Sequence, residues 1–168
     1  MFTKFVRRVP VARIAIILAA VAGLGLLSET SAQAQAPGVY RVSTVTGFQQ
    51  TTGNFAAQNL ARVRGMLLQI NANGTYVLYV PDTWYNTMSG RLVANQGGRT
   101  FTGVRTFRTQ VGYNWAEIQG AVGVRNGQVV MAISSRSGNI MGAVINSSRF
   151  GSSTSNAYVA VATLQKIR

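Results

Sequence analysis

Short runs rich in β-branched and aromatic residues recur along this chain from Val39 onward, each bounded by Gly, Asn or Ser. Their spacing of about ten to twelve residues is that of a sandwich or barrel. Residues 39–46 read as a first strand. Segments 66–71 and 75–80 flank Asn73-Gly74, 89–94 and 99–108 flank Asn95-Gln96-Gly97-Gly98, and 113–125 and 128–135 flank Asn126-Gly127. Asn-Gly is a strong hairpin signal because both residues of a tight type I′ turn need φ > 0. Ser137-Gly138 predicts a further turn before a strand at 139–146, residues 147–156 read as a Gly/Ser loop, and 157–166 close the chain. The prediction is an all-β fold, a small antiparallel up-and-down barrel of about eight or nine strands. One stretch breaks the pattern. Residues 54–64 read as a short helix, with Asn54 as N-cap, Gly65 as stop and Arg62 and Arg64 in the last turn.

Turn chemistry sets register, and register decides which side chains share a face. A two-residue loop at Asn126-Gly127 opposes Val124 to Val129, Val122 to Met131 and Gly120 to Ile133, an apolar face. The other face then opposes Gln119 to Ser134 and Glu117 to Arg136. A three-residue loop at Gln110-Val111-Gly112, with Gly112 left-handed, would oppose Tyr113 to Thr109, Trp115 to Phe107 and Glu117 to Arg105. Together the two turns predict Glu117 between Arg105 and Arg136, with Tyr113, Trp115, Phe107 and Phe101 on the same side. An even-numbered middle loop would swap the faces and dissolve this cluster. With the aliphatic face in the core, the aromatic face becomes an exposed basic platform. With the barrel inside out, the aliphatic face would meet lipid, as in outer-membrane barrels. Against that version, several strands look short, and the chain ends Lys166-Ile167-Arg168 rather than in an aromatic residue.

The first residues obey other rules. Lys4, Arg7, Arg8 and Arg13 precede an apolar run over 14–27, and a small polar stretch ends in Ala32-Gln33-Ala34. This is the layout of a cleavable signal peptide over residues 1–34, cut between Ala34 and Gln35, which leaves 35–168 as one β-barrel domain. The apolar run as helix spans roughly 21 Å, short of a hydrocarbon core of about 30 Å. The chain has no cysteine. Together these features predict a periplasmic or secreted bacterial protein.

Net charge is +13 overall. Beyond residue 34 it is +10, from eleven Arg, Lys166, Asp82 and Glu117. Such a balance favours anionic partners, an acidic polysaccharide or a lipid headgroup surface, and export disfavours nucleic acid. The same charge would also serve solubility alone.

Without His or Cys, triads with a His base, Cys nucleophiles and ordinary zinc sites are excluded. Two carboxylates make a poor calcium cage. As a glycosidase pair they are compromised, because arginine neighbours would hold Glu117 ionised and Asp82 sits in a turn, Pro81-Asp82-Thr83. The expectation is therefore no enzyme, no metal and no cofactor. Two aromatic–Asn clusters remain, Trp84-Tyr85-Asn86 and Tyr113-Asn114-Trp115. They suit sugar rings and interfaces, or else plug the ends of a small barrel. Thr83-Trp84-Tyr85-Asn86 resembles, over four residues, a motif that opens the first barrel strand of the biotin-binding avidins. Here several strands precede it, and biotin binding is not carried over. The expected function is a non-catalytic binding module for an anionic envelope component such as acidic polysaccharide or lipopolysaccharide. Its expected ligand-binding residues are Arg105, Glu117, Arg136, Trp115, Tyr113, Phe107, Trp84 and Tyr85. A self-assembling surface protein and a small integral outer-membrane barrel are the alternatives.

Overall fold

The structure, a computed structural model, describes residues 36–95, 98–110, 112–141 and 153–168. The expected signal segment and its cleavage site lie outside them. Within the described residues, nine strands form one antiparallel sheet: β1 (Gly38–Thr52), β2 (Leu67–Ile70), β3 (Thr75–Tyr79), β4 (Thr87–Arg91), β5 (Val93–Asn95), β6 (Gly98–Thr109), β7 (Gly112–Arg125), β8 (Gln128–Met141) and β9 (Ser153–Lys166). Their order is β4-β3-β2-β1-β9-β8-β7-β6-β5. Each strand therefore lies beside its chain neighbour except β4 and β5, which form the two edges, and β1 joins β9. The result is a nearly closed up-and-down barrel with one short helix, α1 (Ala56–Arg64), between β1 and β2.

The barrel closes on itself at a seam. At Leu92 the chain leaves its pairing with β3 and, as β5, takes up pairing with β6. This brings β4 alongside β6. Gly103 permits the approach, since a Cβ there would lie 2.7 Å from Met88 Cβ. Arg105 Nε donates across the seam to the Thr87 carbonyl at 3.1 Å.

Alternation puts the aliphatic residues inside. Leu68, Ile70, Leu78, Met88, Ile118, Val122, Met131 and Ile133 are almost wholly buried in one core. Arg41, Gln69, Arg91, Glu117, Gln119 and Gln165 lie on the opposite, outward side of the same strands. In β1 the period of two fails. Register shifts at Val42/Thr44, Val45/Gly47 and Gln50/Thr52 insert extra residues, so Val42, Val45 and Phe48 all pack on the core. Such bulges let a strand of 15 residues coil around a small barrel.

Of three expected turns, one forms as expected and two differ in detail. Asn126 and Gly127 both have positive φ, 49° and 74°, and the β7–β8 register is the expected one. At Asn73-Gly74 only Gly74 is left-handed, because Ile70 pairs with Tyr76 and Gly74 closes a longer loop by donating to Asn71 O. Ser137-Gly138 is no turn. β8 runs through it to Met141 and absorbs it as a bulge against β9. The expected strand at 139–146 is therefore the end of β8 as far as Met141, and the rest of it lies outside the described residues. So does the first part of the expected Gly/Ser loop, whereas 153–156 belong to β9.

Helix α1 starts one residue later than Asn54 would set it. Phe55 is the N-cap, without a side-chain hydrogen bond. Gly65 ends the helix by donating to Ala61 O and Arg62 O, both at 3.1 Å. Its φ is −90°, so it is not there for a left-handed turn. A Cβ on Gly65 would lie 2.7 Å from Pro81 Cγ, and this contact seats the helix against the β3–β4 loop.

Candidate functional site

Register separates the aromatic residues that the sequence had placed on one platform. Thr109 pairs with Gly112, so two residues join β6 to β7 rather than three. Gly112 is drawn into the ladder between Thr109 and Met141 instead of forming the turn. Every partner then shifts by one. Thr106 faces Trp115, Val104 faces Glu117, Arg105 faces Ala116 and Phe107 faces Asn114. Paired residues share a face. Arg105 and Phe107 therefore side with Ala116 and Ile118, the inward direction, while Tyr113, Trp115 and Glu117 point outward. The expected Arg105–Glu117 and Phe107–Trp115 pairs do not form, and the expected platform divides into two sites.

The outer site keeps half of the expected row. Arg136 meets Glu117 at 2.5 Å, with Nε to Oε2 at 2.6 Å. Gln119 Nε2 donates to the other carboxylate oxygen at 2.6 Å. The Arg136 guanidinium also lies 5.7 Å from the Trp115 ring centre. Trp115 is only 9% exposed and its indole N–H has no partner among the described residues. Tyr113 lies further out, exposed, opposite Arg108. Chemically this is a ladder contact. Glu117 neutralises Arg136, the indole is covered, and a half-exposed ion pair contributes at most about 1 kcal/mol.

The second site crowns the barrel at the end that carries α1. The β3–β4 loop places Trp84 there, in a turn rather than a strand. Asp82 and Asn86, residue types that tolerate the left-handed region, carry positive φ of 55° and 28° on either side of it. Val80 N–H bonds to Asn86 O at 2.7 Å and closes the loop. Trp84 packs edge-on against Tyr85, 5.2 Å between ring centres, and lies 6.2 Å from Phe107. Trp84 is 46% exposed and Phe107 59% exposed. Phe107 points inward, but β6 here has outrun β4, so its ring stands at the rim instead of in the core. Arg105 lies two residues earlier on the same side. Among the described residues the Glu117–Arg136 contact is the only ion pair, so the Arg105 charge is uncompensated.

Beneath this rim lies a polar layer with no counterpart in the sequence-based prediction. Asn59 of α1, fully buried, donates to Gln50 Oε1 at 3.0 Å and to Asn156 Oδ1 at 2.8 Å. Arg62 donates from Nη1 to Asn59 Oδ1 at 3.0 Å and from Nη2 to the Asp82 carbonyl at 2.8 Å. Ser135 and Tyr158, cross-strand partners, are both buried. Burial pushes the Tyr85 phenol above its ordinary range, with Arg62, Ser135 and Thr83 opposing the rise. Burial, and then the neighbouring Tyr85, hold the Tyr158 phenol higher still. The available signals were faint. Asn59 is a poor helix former inside a helix, which calls for a tertiary partner, and Tyr158 shares the parity of Ala160, Ala162 and Leu164.

Elsewhere, a groove of about 340 Å³ lined by Val42, Ser43, Thr44, Val45 and Arg64 follows the first bulge of β1. Among the described residues no three His, Cys, Asp or Glu side chains cluster as metal ligands would. Comparison of the chain with protein-family models, with curated proteins and with solved structures finds no match.

Proposed function

We propose that this protein is an exported, non-catalytic binding module for an anionic envelope component, an acidic polysaccharide or lipopolysaccharide, taken at the rim of the barrel. One observation carries the reading: Trp84 and Phe107, distant in sequence, present adjacent exposed rings beside Arg105, whose charge no carboxylate meets among the described residues. A pair of exposed aromatic rings inclined at 48° offers faces for sugar rings, and a guanidinium forks onto a carboxylate or phosphate. The rim set is Trp84, Tyr85, Phe107 and Arg105. Arg136, Glu117, Trp115 and Tyr113 support the ladder behind it.

The test is a fluorescence titration with polygalacturonate and with lipopolysaccharide, against neutral dextran. Binding to the anionic polymers should weaken as salt is added. It should fall about tenfold, or about 1.4 kcal/mol, in Trp84→Ala and again in Arg105→Ala. Equal affinity for dextran, or full affinity in both variants, would end the proposal.

A water-exposed barrel fits this role better than a lipid-embedded one. Its outward face carries Arg41, Gln69, Arg91, Gln119 and Gln165, and its interior is apolar, the reverse of an outer-membrane barrel. Self-association is the second reading. β5 ends the sheet with Val93 well exposed, as an edge that can recruit another strand would be. Sedimentation that shows a monomer at high concentration removes it.

A further inference from the structure

The chain contains two Asn-Gly pairs, Asn73-Gly74 and Asn126-Gly127. Asn-Gly is prone to one spontaneous reaction, because glycine has no Cβ to shield its amide nitrogen from the carboxamide beside it. The fold treats the two pairs differently. At Asn73 the reacting groups are tied down. The Gly74 N–H donates to Asn71 O at 3.0 Å, and Asn73 Oδ1 accepts from the Thr75 N–H at 3.1 Å and from the Thr75 hydroxyl at 2.7 Å. At Asn126 they are free. Arg125 pairs with Gln128, so the Gly127 N–H lies outside the ladder, and it has no hydrogen bond among the described residues. Neither has the Asn126 carboxamide. Both residues are exposed, and apart from its chain neighbours nothing lies within 4 Å of the place a Cβ would take on Gly127. Water and base reach this turn from open solvent.

We propose that Asn126 is a modification site: it converts spontaneously to aspartate and isoaspartate in the folded protein, and the isoaspartyl form loosens the β7–β8 hairpin. The Gly127 nitrogen gives up its proton to solvent and bonds to Asn126 Cγ. The Cγ–Nδ2 bond breaks, and the side-chain nitrogen takes up a proton and leaves as ammonia. Water then opens the cyclic imide. Cleavage of the new Cγ–N bond gives aspartate, and cleavage of the original peptide bond gives isoaspartate, whose main chain runs through Cβ and Cγ. Nothing is oxidised or reduced. The consequence follows from loop length. A two-residue loop fixes the β7–β8 register, and an isoaspartyl link puts one extra carbon into the main chain of that loop. The Arg125–Gln128 end of the ladder is thereby released, and one unit of negative charge appears beside Arg125. This turn stands at the end of the barrel opposite the rim, because the β3–β4 and β6–β7 connections share the rim. The inference does not rest on the binding proposed there.

The experiment is a time course of the folded protein in mildly alkaline buffer, with and without urea. Peptide mapping by mass spectrometry, after digestion in acid to stop the reaction, separates the Asn, Asp and isoAsp forms at each pair. In the folded protein Asn126 should convert at least about tenfold faster than Asn73, with isoaspartate among the products. In urea, where the bonds around Asn73 are gone, the two rates should converge. Asn126→Gln, whose longer side chain cannot close the five-membered ring, should leave position 126 unmodified. The isoaspartyl form, isolated by ion exchange, should show faster amide exchange at Val124 and Val129 than fresh protein does. Equal rates at the two pairs in the folded protein, or a tenfold difference that persists in urea, would overturn the assignment of the site. Unchanged exchange in the isoaspartyl form would overturn its effect on the hairpin. Binding of polygalacturonate by that form should match the fresh protein, which separates failure here from failure at the rim.

Discussion

Tyr158 shows how one buried side chain ties stability to pH. Burial favours the neutral phenol in the folded protein, so its folded pKa stands above the ordinary value of 10.0. Tyr40, Tyr76 and Tyr85 are displaced in the same direction. Below pH 10 both folded and unfolded chains keep these protons, and the phenols impose no pH dependence. Above pH 10 the unfolded chain releases them first and is favoured, so stability falls as pH rises towards the folded values. For Tyr158, whose displacement is large, the loss approaches about 1.4 kcal/mol per pH unit between the unfolded and folded values. Urea titrations should show a plateau up to about pH 10 and a decline beyond it, shallower in Tyr158→Phe. An unchanged slope in that variant would mean that the phenol is not buried. Sequence parity could place Tyr158 inward, but Arg62, whose charge acts on it, is 96 residues away by chain number. That meeting was invisible in the sequence.

Turns carry the information at the level of elements, and they differ in how much each one reveals. Asn126-Gly127 admits few alternatives because two consecutive positive φ angles exclude most residue pairs. The β7–β8 register was therefore legible. Gln110-Val111-Gly112 was not, because glycine serves equally as a turn residue or as the first residue of a strand. That single freedom reversed the faces of Arg105 and Phe107. Two glycines allow backbone and packing effects to be separated. Gly127 has φ 74° and nothing near its missing Cβ, so Gly127→Ala should cost about 1 kcal/mol through the backbone alone. Gly120 faces Phe101, whose ring tip would lie 2.4 Å from a Cβ there. Gly120→Ala should therefore cost more, about 2–3 kcal/mol, through displacement of the core. Denaturant midpoints with equal losses at the two sites would contradict this division.

Closure is a property of the whole molecule. β1, β9, β8, β7 and β6 are joined by long ladders, whereas among the described residues β4 meets β6 through side chains and a single Arg105 bond at the seam. Local opening follows the least supported hydrogen bonds. Amide exchange should therefore be fastest in β5 and β4 and slowest at the centre of β7 and β8, by at least about tenfold. Protection in β5 equal to that in β8 would show that the seam is sealed by more than these contacts.

Hydrophobic alternation and Asn-Gly punctuation were enough to determine an all-β meander with its aliphatic face grouped and one helix interrupting it, because these depend on local backbone preference and a period of two. Which aromatic rings share a surface required the parity of one connection. Which polar groups are buried together required α1 to be laid across the barrel end. Both are long-range choices, made by core packing and by the matching of buried donors to acceptors, and no short window of residues contains them.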